Sequence, residues 1–582
     1  MKKECLLIGI NAKYIHTNLA IRYLKAYCNK TYPYIRYMEF SINDNLDNIL
    51  KEIIQSHSNI FAFSCYIWNI DFVLKLCSSL KKLRPEAAIV LGGPEVSFET
   101  EELMAAHPYI DYIIRGEGEE TLPELLQLLN GDMQNSSDIL GITYRAQNRI
   151  ITNPDRPLLQ NLDVIPFPYE DLDQLNNKII YYETSRGCPF NCQYCLSSTL
   201  HGVRYFSMDR IKQEIKFFID QGVKQVKLVD RTFNCNKQHS LAIIKYVLEL
   251  EGKTNFHFEI GADLLDEEMI SVLAKAPKDM FQFEIGVQST NKEALREISR
   301  AMNLDKLKHN IKALQQAGNS HMHLDLIAGL PYEDFNSFAN SFDEVHELQP
   351  DMLQLGFLKL LKGSGIRKSA EEYGIEFNSF NPYEVLKTRW ISYEELIMLK
   401  EIEHILELYY NSGRFKNSLS YMFEKYYASY FQFYMDFAAY WKENKLFSAS
   451  QGTKELYNIL HRFAESKGLM NLSLNELIKL DWLMFYNNGN MPDRLKRYDH
   501  SKIKNTIQDY IKNSSSLHDA LHLGEAADSK NLHKTVCYEV FYTNVIQNPD
   551  LEEEHVVFFY KTNSGLLHTA SMKLVEIITQ AL

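Results

Sequence analysis

The sequence predicts an α/β protein in three parts. These are an N-terminal doubly wound parallel sheet, a central partial (β/α)6 barrel and a mostly helical C-terminal domain. Three observations carry this reading. Over residues 1–135, short apolar runs alternate five times with amphipathic segments. The alternation resumes in six units between residues 176 and 365. From about residue 374 the apolar spacing becomes helical, within a last region of residues 366–582. Of 582 residues, 45% are hydrophobic and 24% charged, a globular balance that excludes disorder, collagen and a coiled-coil rod as the main state.

In the first region, runs at 5–10, 35–40, 60–64, 88–91 and 109–114 lack polar alternation, which marks strands buried on both faces. Amphipathic stretches at 18–29, 45–56, 69–82, 99–106 and 121–130 supply the helices between them. Five β/α units in a row make a doubly wound, Rossmann-like sheet. Ligands of such sheets sit beyond the carboxyl ends of the strands. Three loops lie there: Ser64-Cys65-Tyr66-Ile67-Trp68-Asn69, Gly92-Gly93-Pro94-Glu95 and Gly116-Glu117-Gly118-Glu119. Residues 136–175 read as a connector. It holds a hairpin over 139–152 and a linker punctuated by Pro154, Pro157, Pro166 and Pro168.

The second alternating region places strands at 179–184, 225–229, 256–260, 281–287, 321–327 and 353–358. Helices are expected at 208–221, 237–251, 266–275, 304–317 and 335–348. Six units fall short of a closed eight-stranded barrel, so the barrel is open, with its active site at the strand carboxyl ends. In the C-terminal region, 14 of the 34 residues at 408–441 are aromatic, enough to define a face. Phe423, Tyr427, Tyr430, Tyr434, Phe437 and Trp441 step by three and four along it. That stripe reads as core, with an aromatic wall over a substrate as the alternative. Strands are expected at 535–545 and 555–560.

The formal charge of −13 and a pI near 5.8 argue against a dedicated nucleic-acid binder, which needs a basic face. The nine cysteines are too few, and odd in number, for a disulfide framework. No run approaches 18 apolar residues, and the opening Met-Lys-Lys-Glu-Cys-Leu-Leu lacks the pattern of a signal peptide. A cytoplasmic enzyme in a reducing compartment, without a membrane span, is therefore expected. Three cysteines cluster as C-x3-C-x2-C at Cys188, Cys192 and Cys195, directly after the first barrel strand. Three thiolates in one loop suit three irons of a four-iron cubane and leave the fourth iron open. A closed zinc site with His201 as fourth ligand is the alternative.

This motif, with Tyr194 before the last cysteine, resembles the radical S-adenosylmethionine (SAM) superfamily. The resemblance implies a [4Fe-4S] cluster whose open iron chelates SAM and whose electron cleaves it to a 5′-deoxyadenosyl radical. It also implies that Tyr194 touches the adenine. Resemblance to oxygen-independent coproporphyrinogen-oxidase-type enzymes implies further SAM contacts. Glu259 in F-H-F-E-I-G faces the methionine moiety and Gln288 in I-G-V-Q-S the ribose. Arg300 takes the carboxylate, Asp325 in D-L-I-A-G-L-P the adenosyl group, and Asp230 the ammonium. Relatives often carry an acidic pair at Asp230-Arg231, so Arg231 departs from the pattern and either reaches substrate or pairs with Asp230. Strand alternation puts His321, His323 and Asp325 on one face, read as interior polar groups that satisfy one another rather than as metal ligands.

A doubly wound domain ahead of such a barrel resembles the cobalamin-binding branch of the superfamily. The implied cobalamin contacts are Tyr66, Trp68, Gly92, Gly93, Glu95, Gly116, Glu117 and Gly118. The Asp-x-His-x-x-Gly loop of cobalamin mutases is absent, and residues 11–18 stand in its place. His16 is thus read as a loop residue, and the lower cobalt face as bare or covered by Tyr66 or Trp68. A dinucleotide-binding domain would need G-x-G-x-x-G after the first strand, where only Gly9 stands. The resemblance implies methylation or rearrangement of an unactivated carbon of an unidentified small molecule, with an electron donor such as flavodoxin or ferredoxin. One alternative is methylthiotransferase-like modification of RNA or peptide, although Cys5, Cys28, Cys65 and Cys77 are too dispersed for a second cluster. Another is a zinc-stabilised scaffold. The C-terminal region resembles an uncharacterised extension that begins near Trp390.

Overall fold

The structure, a computed structural model, describes residues 2–581 except 148, 170–171, 173–174, 176, 200–201, 487–490, 496–497, 524–534 and 562–566. The chain forms two compact units, residues 1–396 and 397–582.

The first unit opens with β1 (Cys5–Asn11), α1 (Leu19–Cys28), β2 (Ile35–Ser41), α2 (Leu46–Gln55) and β3 (Ile60–Ser64). It continues with α3 (Ile70–Leu83), β4 (Ala88–Gly92), α4 (Thr100–Ala106), β5 (Tyr112–Ile114) and α5 (Thr121–Leu129). Every residue of β1 and β3 is buried, as expected of central strands with helices on both faces. β5 starts three residues later than its apolar run, because Ile110 N–H turns back to the His107 carbonyl. The hairpin read as part of a connector is instead the edge of this sheet. Its strands β6 (Ile142–Ala146) and β7 (Arg149–Thr152) extend the order to β2-β1-β3-β4-β5-β6-β7, antiparallel at the β5 end.

The barrel strands are β8 (Ile180–Tyr182), β11 (Gln225–Leu228), β12 (Asn255–Ile260), β13 (Phe281–Gln288), β14 (Ser320–Ala328) and β15 (Met352–Phe357). They pair in chain order, all parallel, as one open six-stranded sheet. Between them run α6 (Met208–Asp220), α7 (Lys237–Glu249), α8 (Glu267–Leu273), α9 (Lys292–Glu297), α10 (Leu304–Ala317) and α11 (Phe335–His346). The sequence reading missed the hairpin β9 (Ser185–Cys188) with β10 (Gly202–Tyr205), which brackets the cysteine segment. After β15 the chain doubles back as a strap. Leu360 N–H donates to Tyr383 O and Val385 N–H to Leu358 O, both at 2.9 Å. The strap carries α12 (Gly365–Lys368), β16 (Glu376–Phe377) and β17 (Val385–Lys387).

The second unit is mostly helical. The aromatic stripe does not run along one helix. It is divided between α14 (Lys416–Tyr426) and α15 (Tyr430–Glu443), where Ser429 caps α15 by accepting Gln432 N–H at 3.0 Å. Of the stripe, Tyr434, Phe437 and Trp441 on α15 are buried core, while Phe423, Tyr427 and Tyr430 are half-buried. The C-terminal sheet has three antiparallel strands, β18 (Val536–Phe541), β19 (His555–Lys561) and β20 (Leu567–Lys573). The third was not foreseen, because L-H-T-A-S-M-K lacks an apolar alternation. Among the described residues no helix is long and apolar enough to cross a membrane.

Candidate cofactor sites

The residues leading into the first cysteine are held from two sides. Asp230, just beyond β11, accepts Thr184 N–H (2.9 Å), the Thr184 hydroxyl (2.6 Å) and the Ser185 hydroxyl (2.5 Å). His239 Nε2 also lies 3.1 Å from Thr184 Oγ1. From the other side, Arg186 pairs with Glu183 (2.7 Å), Glu119 (2.6 Å) and Glu117 (3.3 Å). Opposite it across the hairpin, Arg204 binds Glu117 at 2.8 Å and the Leu159 carbonyl at 2.6 Å. Burial pushes the Glu183 carboxyl up to about 7, against the pull of Arg186. Gly187, at φ 102°, is obligatory: a Cβ there would stand 2.1 Å from Gly202 O.

Cys192 is buried, and Cys188 and Cys195 are half-buried. Cys188 Sγ lies 3.8 Å from Thr232 Oγ1, and Arg300 Nη1 lies 3.8 Å from Cys192 Sγ and 3.2 Å from the Tyr194 hydroxyl. Burial raises the Cys192 thiol, and Arg300 opposes that shift by favouring the thiolate. Three soft sulfur donors beside one cation fit an iron–sulfur cluster. His201, the fourth ligand of the zinc alternative, lies outside the described residues. Among the described residues no three His, Cys, Asp or Glu side chains gather around a single-ion site.

The proposed SAM contacts converge at the carboxyl ends of β12 to β14. β13 carries a register shift between Gly286 and Gln288, and Gln288 takes a left-handed φ of 71°. A Cβ on Gly286 would lie 2.1 Å from Gln288 Nε2 and 3.3 Å from Arg300 Nη2, so any larger residue there would displace the Gln288 amide. Arg300 Nη2 donates to the Gly286 carbonyl. Two buried atoms, Arg300 Nε and Asp325 Oδ1, have no hydrogen-bond partner. Burial, then repulsion from Glu284 and Glu259, pushes Asp325 up to about 8. Burial, then Glu284, pushes Glu259 up to about 7. Crowded, unpaired carboxyls opposite an unpaired guanidinium nitrogen fit a zwitterionic sulfonium ligand. Asp230 is 1% exposed, and its oxygens accept from Thr184 and Ser185, which fixes the strand that leads into the first cysteine. Arg231 is exposed and makes no pair with Asp230 among the described ion pairs.

Below this layer the barrel interior satisfies itself in part. Glu284 accepts Lys227 (2.9 Å) and lies 3.1 Å from His257 Nε2. Gln282 Nε2 reaches His323 Nε2 at 3.2 Å; His321 is exposed, 3.6 Å from Asp351, and Asp325 keeps an unpartnered oxygen, so the three residues expected to satisfy one another do not. His257 holds Glu284 down to about 2, and burial lowers His323 to about 4.

The loop after β3 is built by Asn69. Its amide donates to Ile10 O (2.9 Å) and Ser64 O (3.0 Å), and its side-chain oxygen accepts Tyr66 N–H (2.8 Å). Tyr66 and Trp68 stack at 4.4 Å with planes 6° apart, and Trp68 is 47% exposed. Gly93, at φ 113°, passes so close to Cys65 that a Cβ would lie 2.5 Å from its carbonyl. Gly116, at φ 71°, faces open space, while a Cβ on Gly118 would meet Leu24 at 3.0 Å. Gly92 has only ordinary contacts. This open glycine edge with an exposed stacked aromatic fits a large flat ligand. Glu95 and Glu117 both have protein partners here. Glu95 accepts the Tyr383 hydroxyl at 2.5 Å and lies 3.5 Å from Lys362, and Glu117 is taken by Arg186 and Arg204. His16 is a loop residue as expected, its Nδ1 lying 2.9 Å from the hydroxyl of Tyr181 on β8.

Family models match the same layout. Residues 6–126 match the B12 binding domain, and residues 182–345 match the Radical SAM superfamily. The chain therefore carries a B12-binding domain ahead of a radical SAM domain. Cobalamin belongs to its first domain, and SAM and the [4Fe-4S] cluster to its second. Residues 371–559 match a protein of unknown function, DUF4080. The chain is 26% identical over 342 residues to the cobalamin-dependent radical SAM methyltransferase TokK of Streptomyces tokunonensis, covering 54% of this chain and 49% of TokK. It is also 26% identical over 369 residues to an uncharacterized methyltransferase of Pyrococcus horikoshii, covering 62% and 77%. The matched stretch thus spans about half the length of TokK. The structure of the cobalamin-dependent SAM radical enzyme OxsB with aqua-cobalamin bound shares the fold, at TM-score 0.60 and 13% identity over 87% of this chain and 84% of OxsB.

The sequence reading gave no role to Arg204, Lys362 and Tyr383. Each works through a partner distant in sequence, so no local spacing announces it.

Proposed function

We propose that this protein is a cobalamin-dependent radical SAM methyltransferase acting on an unactivated carbon of a small molecule. The observation that carries the reading is the fastening of the cysteine hairpin to the cobalamin-binding domain. Arg186, two residues before Cys188, is shared by Glu183 of the barrel and by Glu117 and Glu119 of the first domain. One rigid body then presents both cofactors to one substrate. When bound, the cluster supplies the electron that splits SAM and cobalamin supplies the methyl group. The chain's own part is placement and charge. Cys188, Cys192 and Cys195 hold the cluster. Tyr194 and Gln288 face the adenosyl end of SAM, Glu259 takes its ammonium, and Arg300 takes its carboxylate while it offsets the thiolate charge at Cys192. The open space at Gly116 and the exposed face of Trp68 would admit the corrinoid, with Gly92, Gly93, Gly118 and Tyr66 shaping the loops around it. An external donor such as flavodoxin or ferredoxin feeds the cluster, in the reducing cytoplasm.

Anaerobic reconstitution with iron, sulfide and hydroxocobalamin tests this. The wild-type chain should take up about four irons and one cobalamin, and form both 5′-deoxyadenosine and S-adenosylhomocysteine with substrate. Replacing all three cysteines by alanine should remove the iron and leave cobalamin uptake intact. Formation of 5′-deoxyadenosine without S-adenosylhomocysteine would replace methyl transfer by rearrangement.

A further inference from the structure

The strap after β15 touches the loops that form the proposed cobalamin edge. Asn381 Nδ2 donates to the Ile67 carbonyl at 3.1 Å, the peptide group between the stacked rings of Tyr66 and Trp68. The strap that carries this amide is itself fixed. Tyr383 and Lys362 bind the buried Glu95, and Arg367 pairs with Glu99 at 3.2 Å while lying over the Tyr383 ring at 5.0 Å. Gly363, at φ 83°, packs so closely that a Cβ there would lie 2.5 Å from Phe98. Yet two large aromatics stay in solvent on this edge, Trp68 and, beside Asn381 in the chain, Phe380, which is 64% exposed. A rigid framework that leaves such surface open marks a ligand wall.

We propose that the strap, residues 359–387, is a wall of the cobalamin site, with Asn381 as a positioning residue that holds Tyr66 and Trp68 against the lower face of the cobalt. The inference rests on the cobalamin reading above. It gives the first segment of the DUF4080 region a role in cofactor binding. Asn381 acts through the loop after β3: its amide fixes the peptide that sets the tilt of both rings, and those rings keep water from the metal.

The test uses the full-length chain with hydroxocobalamin, reduced anaerobically to cob(II)alamin and read by electron paramagnetic resonance. Wild type should show a four-coordinate, water-free signal. Asn381→Ala should shift it toward the five-coordinate, water-bound form and raise the cobalamin dissociation constant about fivefold, the scale of one lost hydrogen bond. The near-isosteric Asn381→Asp, which cannot donate, should do the same, and iron content should stay unchanged in both. Wild-type signal and affinity in both variants would overturn the inference and leave the cobalamin reading standing. Failure of the wild-type chain to take up cobalamin would overturn both.

Discussion

Asp325 is the residue whose environment makes least sense without a ligand. One carboxyl oxygen is buried and unpartnered, and burial with the neighbouring Glu284 and Glu259 pushes the group up to about 8. Its folded pKa therefore lies above the unfolded value near 3.9. The stability it contributes is complete at low pH and declines as pH rises between those two values. The empty protein should lose melting temperature from pH 5 to pH 8, and Asp325→Asn should flatten that decline and raise the pH 8 melting temperature by about 2 °C. SAM binding has the opposite dependence, because a sulfonium and an ammonium prefer the ionised carboxylates. Isothermal titration at pH 6, 7 and 8 should show wild-type SAM affinity rising with pH. The Asp325→Asn, Glu259→Gln double variant should bind weakly and without slope. A wild-type affinity independent of pH would remove these two side chains from the SAM site.

At the scale of elements, the hairpin β9–β10 joins the cofactor domains. Glu117 meets Arg204 across 87 positions and Arg186 across 69. Breaking this half-buried pair strands one charge, at a cost of about 1–3 kcal/mol. Glu117→Gln and Arg204→Met should each lower the urea midpoint, and the double variant should lose less than the sum, with a coupling of about 1–3 kcal/mol. Additive losses would show that the pair does not hold the hairpin. The same hairpin shows where sequence reasoning ran out. The strand at 60–64 and the helix at 304–317 were legible to the residue, because apolar burial and the Asn303 cap are local signals. The cysteine triad was legible because its chemistry depends on spacing. Glu95 and Glu117 show why other contacts were not: a carboxylate beside glycine after a strand looks the same whether it faces a ligand or a cation from another element. The partners of Asp230 were illegible for the same reason: Thr184 and Ser185 lie 46 and 45 residues away.

On the scale of the whole molecule, every proposed cofactor contact lies before residue 388. The second unit has its own core, with Trp441, Tyr457 and Phe463 buried. Its buried Lys479 is satisfied by Glu476 at 2.9 Å and the Val540 carbonyl at 3.1 Å. Such internally satisfied charges belong to a unit that folds around itself. Cofactor chemistry and the C-terminal helical unit should therefore be separable. A chain ending at residue 392, before the helix at Tyr393–Tyr409, keeps the strap, and it keeps Trp390, whose ring lies 4.5 Å from that of Tyr332. It should still take up iron and cobalamin and cleave SAM slowly to 5′-deoxyadenosine in the presence of a reductant. Comparing methylated product from one extract between the truncated and the full chain then reads whether the second unit takes part in substrate selection. Loss of cobalamin uptake on truncation would instead assign the second unit to the cofactor site, and full product formation would free it from any role in substrate selection.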